Sequence, residues 1–137
     1  MKTILITGAT SGFGEAIARI FANNDWQLIL TGRRQQRLDS LQQELGGPDK
    51  VHTCCFDISD RKAVEQAIDS LPMQFSDIDV LVNNAGLALG LEPADKTDLA
   101  DWDKMVDTNI KGLMYCTHKL LPKMRARKQD YILNIGS

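Results

Sequence analysis

The sequence predicts a single α/β domain over residues 1–137, built on an open, doubly wound parallel sheet. Two observations support this fold class. Short runs of aliphatic and β-branched residues alternate with longer segments in which apolar residues recur at helical spacing, a pattern typical of parallel βαβ crossovers. The strand-like runs are also almost continuously apolar, as expected for a sheet that is covered by helices on both faces.

Strands and helices follow one another in strict alternation. Strands are predicted at residues 3–6, 27–31, 51–56, 79–82 and 131–135. Helices are predicted around residues 16–21, 38–45, 64–71 and 102–121, where apolar side chains recur every three or four positions. Gly46-Gly47-Pro48 and Pro72 end the second and third helices, because neither motif continues a helix readily. No composition shift or linker indicates a second domain.

Composition and charge narrow the functional classes. A formal net charge of −2 with dispersed Lys and Arg gives no basic stripe, so nucleic acid is not an expected partner. No apolar run approaches the roughly 20 residues that span a bilayer, and we expect a cytoplasmic protein without a membrane segment. Neither a disulfide framework nor a metal site is expected from the cysteines. Cys116 lies in an apolar helical stretch and is predicted to be buried and unreactive.

A glycine-rich turn joins the first strand to the first helix. In a parallel α/β sheet this position binds a dinucleotide, because the glycines allow close backbone approach and the helix N-terminus offers free N–H groups to the pyrophosphate. A simple connecting turn is the alternative. A mononucleotide P-loop is disfavoured because no Lys-Ser/Thr pair follows the glycines. The candidate cofactor-binding residues of the turn are Thr7, Gly8, Thr10, Ser11, Gly12, Phe13 and Gly14.

The spacing of this turn, Thr-Gly-x-x-x-Gly-x-Gly, resembles that of the short-chain dehydrogenase/reductase family. Asp57, Asn83-Asn84-Ala85-Gly86, Asn109 and Asn134-Ile135-Gly136-Ser137 match family motifs in the same order. The resemblance covers the chain from Lys2 to Ser137, about the first half of a typical member, and implies a Rossmann-like sheet. We therefore expect an incomplete domain whose sheet is truncated after the fifth strand.

The end of the second strand indicates the cofactor. An acidic residue there binds the 2′-hydroxyl of NAD, whereas arginine accommodates the 2′-phosphate of NADP. The sequence has Arg33 and Arg34 at this point, with no carboxylate beside them, so NADP is the expected cofactor. The alternative is that both arginines are solvated side chains at a helix start.

The resemblance implies further cofactor contacts. Asp57, with Ile58 beside it, would lie at the adenine, and the segment Asn84, Ala85 and Gly86 would line the ribose side. Asp57 could equally be the N-terminal cap of the third helix, or serve in both ways.

The resemblance also implies the catalytic groups: an asparagine, a serine, a tyrosine and a lysine that together reduce a carbonyl or oxidise an alcohol. Asn109 matches the asparagine that holds a water in a proton relay, and Ser137 matches the serine that hydrogen-bonds the reacting oxygen. A solvated asparagine and a turn-forming serine are the plainer alternatives. The tyrosine and lysine would follow Ser137, so we expect the chain alone to be catalytically incomplete.

Tyr115 and Lys119 have the Tyr-x-x-x-Lys spacing but precede the serine and lie in the helix that carries Asn109. We interpret this match as chance, with Tyr115 a packing or interface residue and Lys119 a solvated one. His52 and His118 are expected to be structural.

Segment 83–93 and the arginine pair are similar to family members that act on small 3-hydroxy acids such as serine and allo-threonine. The substrate hypothesis is a small 3-hydroxy acid or its 3-oxo form. The resemblance also implies a homo-oligomer, a dimer or tetramer, at full length. A non-catalytic NADP-binding module remains the alternative, and a protein-interaction domain using the long helix is a weaker one.

Overall fold

The structure, a computed structural model, describes residues 1–10, 12–86, 93–128 and 130–136. Strands and helices alternate as predicted. The strands are β1 (Thr3–Ile6), β2 (Gln27–Gly32), β3 (Val51–Cys55), β4 (Val80–Asn83) and β5 (Tyr131–Asn134). The α-helices are α1 (Gly12–Ala22), α2 (Gln35–Glu44), α3 (Arg61–Asp69), α4 (Leu99–Val106) and α5 (Gly112–Arg127), with short 3₁₀ turns at Met73–Phe75 and Ala94–Lys96.

The five strands form one parallel sheet in the order β3-β2-β1-β4-β5. The chain builds outward from β1 to β3 on one side and then crosses to β4 on the other side. A crevice therefore opens beside the carboxyl ends of β1 and β4, the point at which open α/β sheets bind ligands. This topology confirms the predicted doubly wound, Rossmann-like fold.

Each face of the sheet carries its own hydrophobic core. Ile4 and Ile6 of β1 point to a cluster that includes Ala18 of α1 and Leu38 of α2. Leu5, between them in the strand, points to the opposite cluster with side chains of α3 and α5. Because successive strand residues face opposite sides, this alternation covers both faces and explains the nearly continuous apolar strands.

The predicted long helix is present, but it is not uniformly α-helical. Residues Asp107–Lys111 form a π-helical segment between α4 and α5. Asp98 caps the start of α4 by accepting a hydrogen bond from the backbone N–H of Ala100 at 2.9 Å, which places the helix start before Trp102. Helical periodicity alone does not reveal a π segment, because it shifts the spacing only locally.

Two predicted strand ends extend one residue too far. Phe56 and Ile135 leave the regular ladder although the backbone N–H of each still donates to the neighbouring strand, to Gly32 and Asn83 respectively, at 3.0 Å. The second strand extends one residue further than predicted, to Gly32, and the fourth strand lies one residue later than predicted at both ends. Over the residues that the structure describes, no helix is both long and apolar enough to cross a membrane.

Candidate cofactor-binding site

A cleft of about 460 Å³ lies at the carboxyl ends of the central strands. It brings together the glycine turn after β1, the end of β2, the loop after β3 and the segment after β4. Eight of its lining residues belong to the predicted site: Gly8, Thr10, Arg33, Arg34, Asp57, Ile58, Ala85 and Gly86. Four others were not predicted as site residues: Thr31, Gly32, Phe56 and Thr108.

The glycine turn packs tightly against the segment after β4. Gly8 has a φ of +62°, and a Cβ added there would lie 2.8 Å from the Cα of Ala85. A Cβ on Gly14 would lie 2.3 Å from the carbonyl oxygen of Gly8, which is closer than any real contact. The Nδ2 of Asn84 donates to that same carbonyl at 3.0 Å. Glycine is therefore required at both positions to seat the first turn of α1 on the floor of the cleft.

Thr7 holds the segment after β4 in place through hydrogen bonds. Its side chain is 1% exposed, and its Oγ1 accepts hydrogen bonds from the backbone N–H groups of Asn84 at 3.0 Å and Ala85 at 2.9 Å. The hydroxyl donates to the carbonyl of Val82 at 3.4 Å. Thr7 thus joins β1 to the end of β4 and does not line the cleft. The sequence predicts Thr7 as a cofactor-binding residue, and that role stays a prediction, because its hydrogen bonds among the described residues join Thr7 to β4 and to the segment after it.

Two positively charged side chains lie in the cleft just after β2. Arg33 and Arg34 both line it, and Arg34 Nη2 donates to Thr10 Oγ1 at 3.4 Å. Arg34 is the N-cap residue of α2 and makes no side-chain capping hydrogen bond. The arginine fork suits the bidentate recognition of phosphate, and the position matches the expected ribose end of a dinucleotide.

Asp57 faces the cleft from the loop after β3. Its Oδ1 accepts hydrogen bonds from Ser59 N at 3.0 Å and Ser59 Oγ at 2.7 Å. These bonds, the backbone one first, lower the pKa of the carboxyl, and the charge of Arg33 lowers it further. The alternative prediction that Asp57 caps α3 is wrong. Asp60 is the cap, because its Oδ1 accepts from Ala63 N at 3.2 Å.

Asn109 lies in the π-helical segment, next to the cleft. A Cβ added to Gly86 would lie 3.0 Å from Asn109 Oδ1, so the asparagine side chain packs directly against the segment after β4. Its neighbour Thr108 is 8% exposed and lines the cleft. π-helical turns frequently occur at functional sites, and this one places Thr108 in the lining of the cleft and Asn109 against Gly86. Nothing in the periodicity of the sequence distinguishes Thr108 from its neighbours.

Comparison with known proteins gives the family. The sequence profile of the short chain dehydrogenase family matches residues 2–137. The chain belongs to this short chain dehydrogenase family. It is 55% identical over 134 residues to the NADP-dependent 3-hydroxy acid dehydrogenase YdfG of Salmonella typhi, covering 98% of this chain and 53% of that protein.

Two further comparisons agree with this assignment. Sulfoacetaldehyde reductase 2 of Chromohalobacter salexigens is 54% identical over 135 residues, which cover 98% of this chain and 54% of that protein. The closed form of serine dehydrogenase complexed with NADP+ superimposes with a TM-score of 0.94 at 50% identity, covering 98% of this chain and 54% of that one. The chain therefore spans about half the length of the relatives it matches.

Several predicted residues of this short chain dehydrogenase lie away from the cleft or outside the described residues. Ser11 and the catalytic candidate Ser137 lie outside the described residues. Gly12, with a φ of +56°, and Phe13, which is 72% exposed, belong to the first turn of α1 but do not line the cleft. Asn84 does not line the cleft either, and its Nδ2 is hydrogen-bonded to the carbonyl oxygen of Gly8.

The structure accounts for the other chemically interesting side chains of the long helix. Tyr115 packs partly against the core face shared by α3 and α5. The Nζ of Lys119 lies 2.8 Å from a carboxylate oxygen of Asp69, so this lysine is ion-paired, not simply solvated as predicted. Cys116 is buried as predicted, and burial raises the pKa of its thiol to about 12. Among the described residues, no group of His, Cys, Asp and Glu could hold a metal ion.

Proposed function

We propose that the protein is an NADP-dependent oxidoreductase that transfers hydride between NADP(H) and a small 3-hydroxy acid or its 3-oxo form. Within it, residues 1–137 supply the cofactor-binding half. The observation that carries the proposal is the pair Arg33 and Arg34 lining the cleft at the end of β2, where no carboxylate stands beside them. NAD-binding sites place an acidic residue at this position.

The residues present fit a dinucleotide along the whole cleft. The helix N-terminus of α1 and the glycine turn suit the pyrophosphate, since backbone N–H groups and the helix dipole favour an anion there. Asp57 and Ile58 line the cleft where the adenine would lie, and Ala85 and Gly86 line it where the ribose would lie. When bound, the cofactor would supply or accept the hydride.

Interconversion of an alcohol and a carbonyl moves a proton as well as a hydride, and protein groups would have to donate or accept that proton. Asn109 would hold a water near the cleft, and Ser137 would hydrogen-bond the reacting oxygen of the substrate. A general acid must also protonate the developing alkoxide near neutral pH. The tyrosine and lysine expected for this role would follow Ser137, so we propose that residues 1–137 bind the cofactor without turnover on their own.

The substrate proposal is supported by the relatives. One is named a 3-hydroxy acid dehydrogenase and a solved structure a serine dehydrogenase, whereas another is named a sulfoacetaldehyde reductase. The last name makes sulfoacetaldehyde a second candidate, and an assay with both substrate types separates them. A non-catalytic NADP-binding module is the alternative to an enzyme of either kind.

We also propose that the full-length protein is a cytoplasmic homo-oligomer, a dimer or tetramer. Trp102, Val106, Ile110 and Met114 recur at helical spacing along α4, the π segment and α5, and each is more than two-fifths exposed, from 41% at Trp102 to 57% at Met114. An apolar stripe of this kind is typical of an interaction face. Size-exclusion chromatography with light scattering on the full-length protein tests it.

A paired assay tests the proposed function. NADPH and NADH binding to purified residues 1–137 are measured by fluorescence, and NADP reduction is followed with serine and with allo-threonine. We expect NADPH to bind at least tenfold more tightly than NADH, without turnover. Equal affinities would overturn the cofactor assignment. Turnover would contradict the missing-acid argument, and its loss in Tyr115→Phe would identify Tyr115 as the acid.

A further inference from the structure

A buried glycine, Gly112, follows the π segment and lies against the loop after β3. A Cβ added to Gly112 would lie 2.9 Å from Cγ2 of Ile58 and 3.2 Å from both its Cγ1 and its carbonyl oxygen. The backbone of Gly112 is ordinary right-handed helix, with φ −58° and ψ −45°, so its conformation does not require glycine. Inside a helix, glycine is less stable than alanine by about 1 kcal/mol. What Gly112 provides is therefore the close approach of the long helix to Ile58.

Ile58 is the fixed side of this contact. It is 7% exposed, belongs to the core on the α3 and α5 face of the sheet, and also lines the cofactor cleft. Because its backbone carbonyl takes part in the contact, rotation of its side chain alone would not make room for a Cβ at Gly112. On the opposite side of the helix, Ile110 and Met114 are more than half exposed. Among the described residues, the helix therefore has more space to move outward than the loop has to move inward.

Gly112 also closes the π turn that carries Asn109. Its backbone N–H donates to the carbonyl of Asp107, five residues earlier, which is the hydrogen bond that defines a π turn. Asn109 lies between these two residues, and its Oδ1 would be 3.0 Å from a Cβ added to Gly86. An outward displacement of Gly112 would therefore shift the π turn and withdraw Asn109 from the segment after β4.

We propose that Gly112 is a positioning residue, which by packing on Ile58 holds the π segment where Asn109 contacts the segment after β4. The inference rests on the proposed function for the role of Asn109, which is to hold a water that relays the proton. Misplacement of a positioned group by about 1 Å can reduce a rate by about a hundredfold. The glycine turn and the arginines that would bind the cofactor lie on other elements, so a change at Gly112 should lower kcat more than it weakens cofactor binding.

Substitutions on both sides of the contact test the proposal in the full-length protein. Gly112→Ala adds the Cβ, and Ala126→Ser, which adds one heavy atom at an exposed position of the same helix, is the matched control. Ile58→Ala removes both Cγ atoms that the new Cβ would meet, whereas Ile58→Val retains them. Each Ile58 variant is made alone and together with Gly112→Ala. Thermal melts establish that each variant is folded.

The position of Asn109 is measured directly, by the NMR signal of its side-chain amide in protein labelled with ¹⁵N at asparagine. The signal is assigned by its absence in Asn109→Ala, and that of Asn24, which donates to the carbonyl of Ile20 in α1, is the internal reference. We expect the Asn109 signal to shift in Gly112→Ala and in Ile58→Ala, and to return toward the wild-type position when the two are combined.

The signal should not return in Gly112→Ala/Ile58→Val, because the Cγ atoms remain, and Ala126→Ser should leave it unchanged. An Asn109 signal that does not move in folded Gly112→Ala would overturn the proposal. If Gly112→Ala does not fold, Ile58→Ala decides alone, since loss of its side chain removes the support from the other side of the contact. An unmoved signal there would overturn the proposal in the same way.

Steady-state kinetics with a 3-hydroxy acid then measure the consequence for the reaction. Gly112→Ala should lower kcat about tenfold and change the KM for NADP less than about threefold. Addition of Ile58→Ala should raise kcat again, and addition of Ile58→Val should not. A normal kcat in a variant whose Asn109 signal has moved would overturn the link to proton transfer. A wild-type protein without turnover would overturn the proposed function, whereas the NMR signal would still decide the role of Gly112.

Discussion

Strands β1 and β5 belong to the same parallel sheet, are both four residues long and are both largely apolar, yet their surroundings differ completely. Every residue of β1 is buried, whereas none of β5 is, and Tyr131 and Leu133 of β5 are 74% and 49% exposed. The central strand is covered by helices on both faces, while β5 is the outermost strand of the sheet that the described residues form. Apolar composition therefore predicts a strand, but its position in the sheet decides how much that strand contributes to stability.

A matched pair of leucines gives the largest expected effect. Leu5 in β1 is 3% exposed and belongs to one of the two core clusters, whereas Leu133 in β5 is about half exposed. We expect Leu5→Ala to lower the free energy of unfolding by about 3 kcal/mol, because it removes buried surface and leaves a cavity. Leu133→Ala should cost less than about 1 kcal/mol. Urea denaturation measures both, and equal losses would contradict the comparison.

The glycines that follow the two strands sharpen the comparison. Gly14, after β1, has no space for a Cβ, but a Cβ on Gly136, after β5, meets nothing within 4 Å among the described residues. We expect Gly14→Ala to destabilise the protein by about 2 kcal/mol through overpacking, and to weaken NADPH binding more than tenfold by displacing the turn. Alanine is the better helix former, so propensity alone would predict a gain.

Gly136→Ala is the matched control and should leave both the melting temperature and NADPH affinity unchanged. Thermal melts and fluorescence titration measure the two effects. A Gly14→Ala variant that binds NADPH as tightly as the wild type would show that the contact between Gly14 and Gly8 is not needed to form the cleft.

The fold could be predicted almost completely from the sequence because it depends on local patterns. Aliphatic runs and helical periodicity located all five strands and the α-helical regions, and strict alternation implied parallel pairing. The π segment at Asp107–Lys111 escaped prediction, since a π turn depends on how the long helix packs against the sheet. Strand ends were misplaced by a residue where ladder hydrogen bonds continue briefly into a loop.

The candidate site was predictable where a motif is local and less so where distant segments meet. Arg33, Arg34 and the glycine turn follow strand ends directly, and the structure brings them to one cleft with Asp57 and Gly86. The hydrogen bonds between Thr7 and the segment after β4 depend on contacts across the sheet, and so does the position of Thr108 in the cleft. The sequence does not display such contacts. Asp57 was a plausible helix cap by its position, but Asp60 lies at the correct distance from the first turn of α3.

The other edge strand, β3, gives the smallest predicted effect. Asp57, two residues after β3, is hydrogen-bonded to Ser59, and this bonding lowers its pKa in the folded state. A lowered folded-state pKa adds stability at pH values above the ordinary carboxyl pKa of about 3.9, and that stability is lost as the pH falls through the folded-state value. Because Asp57 is largely exposed, solvent screens this contribution, and we expect Asp57→Ala to cost only about 0.5 kcal/mol at pH 6.

Thermal melts of the wild type and Asp57→Ala between pH 6 and pH 3 measure this effect. The difference in melting temperature should be largest at pH 6 and should shrink toward pH 3, because the unfolded chain then takes up a proton that the hydrogen-bonded carboxylate of the folded chain resists. Asp49→Ala, which removes an exposed carboxylate close to the start of β3, is the control and should show no such trend. A melting-temperature difference that stays constant with pH would show that the carboxylate charge of Asp57 does not stabilise the fold.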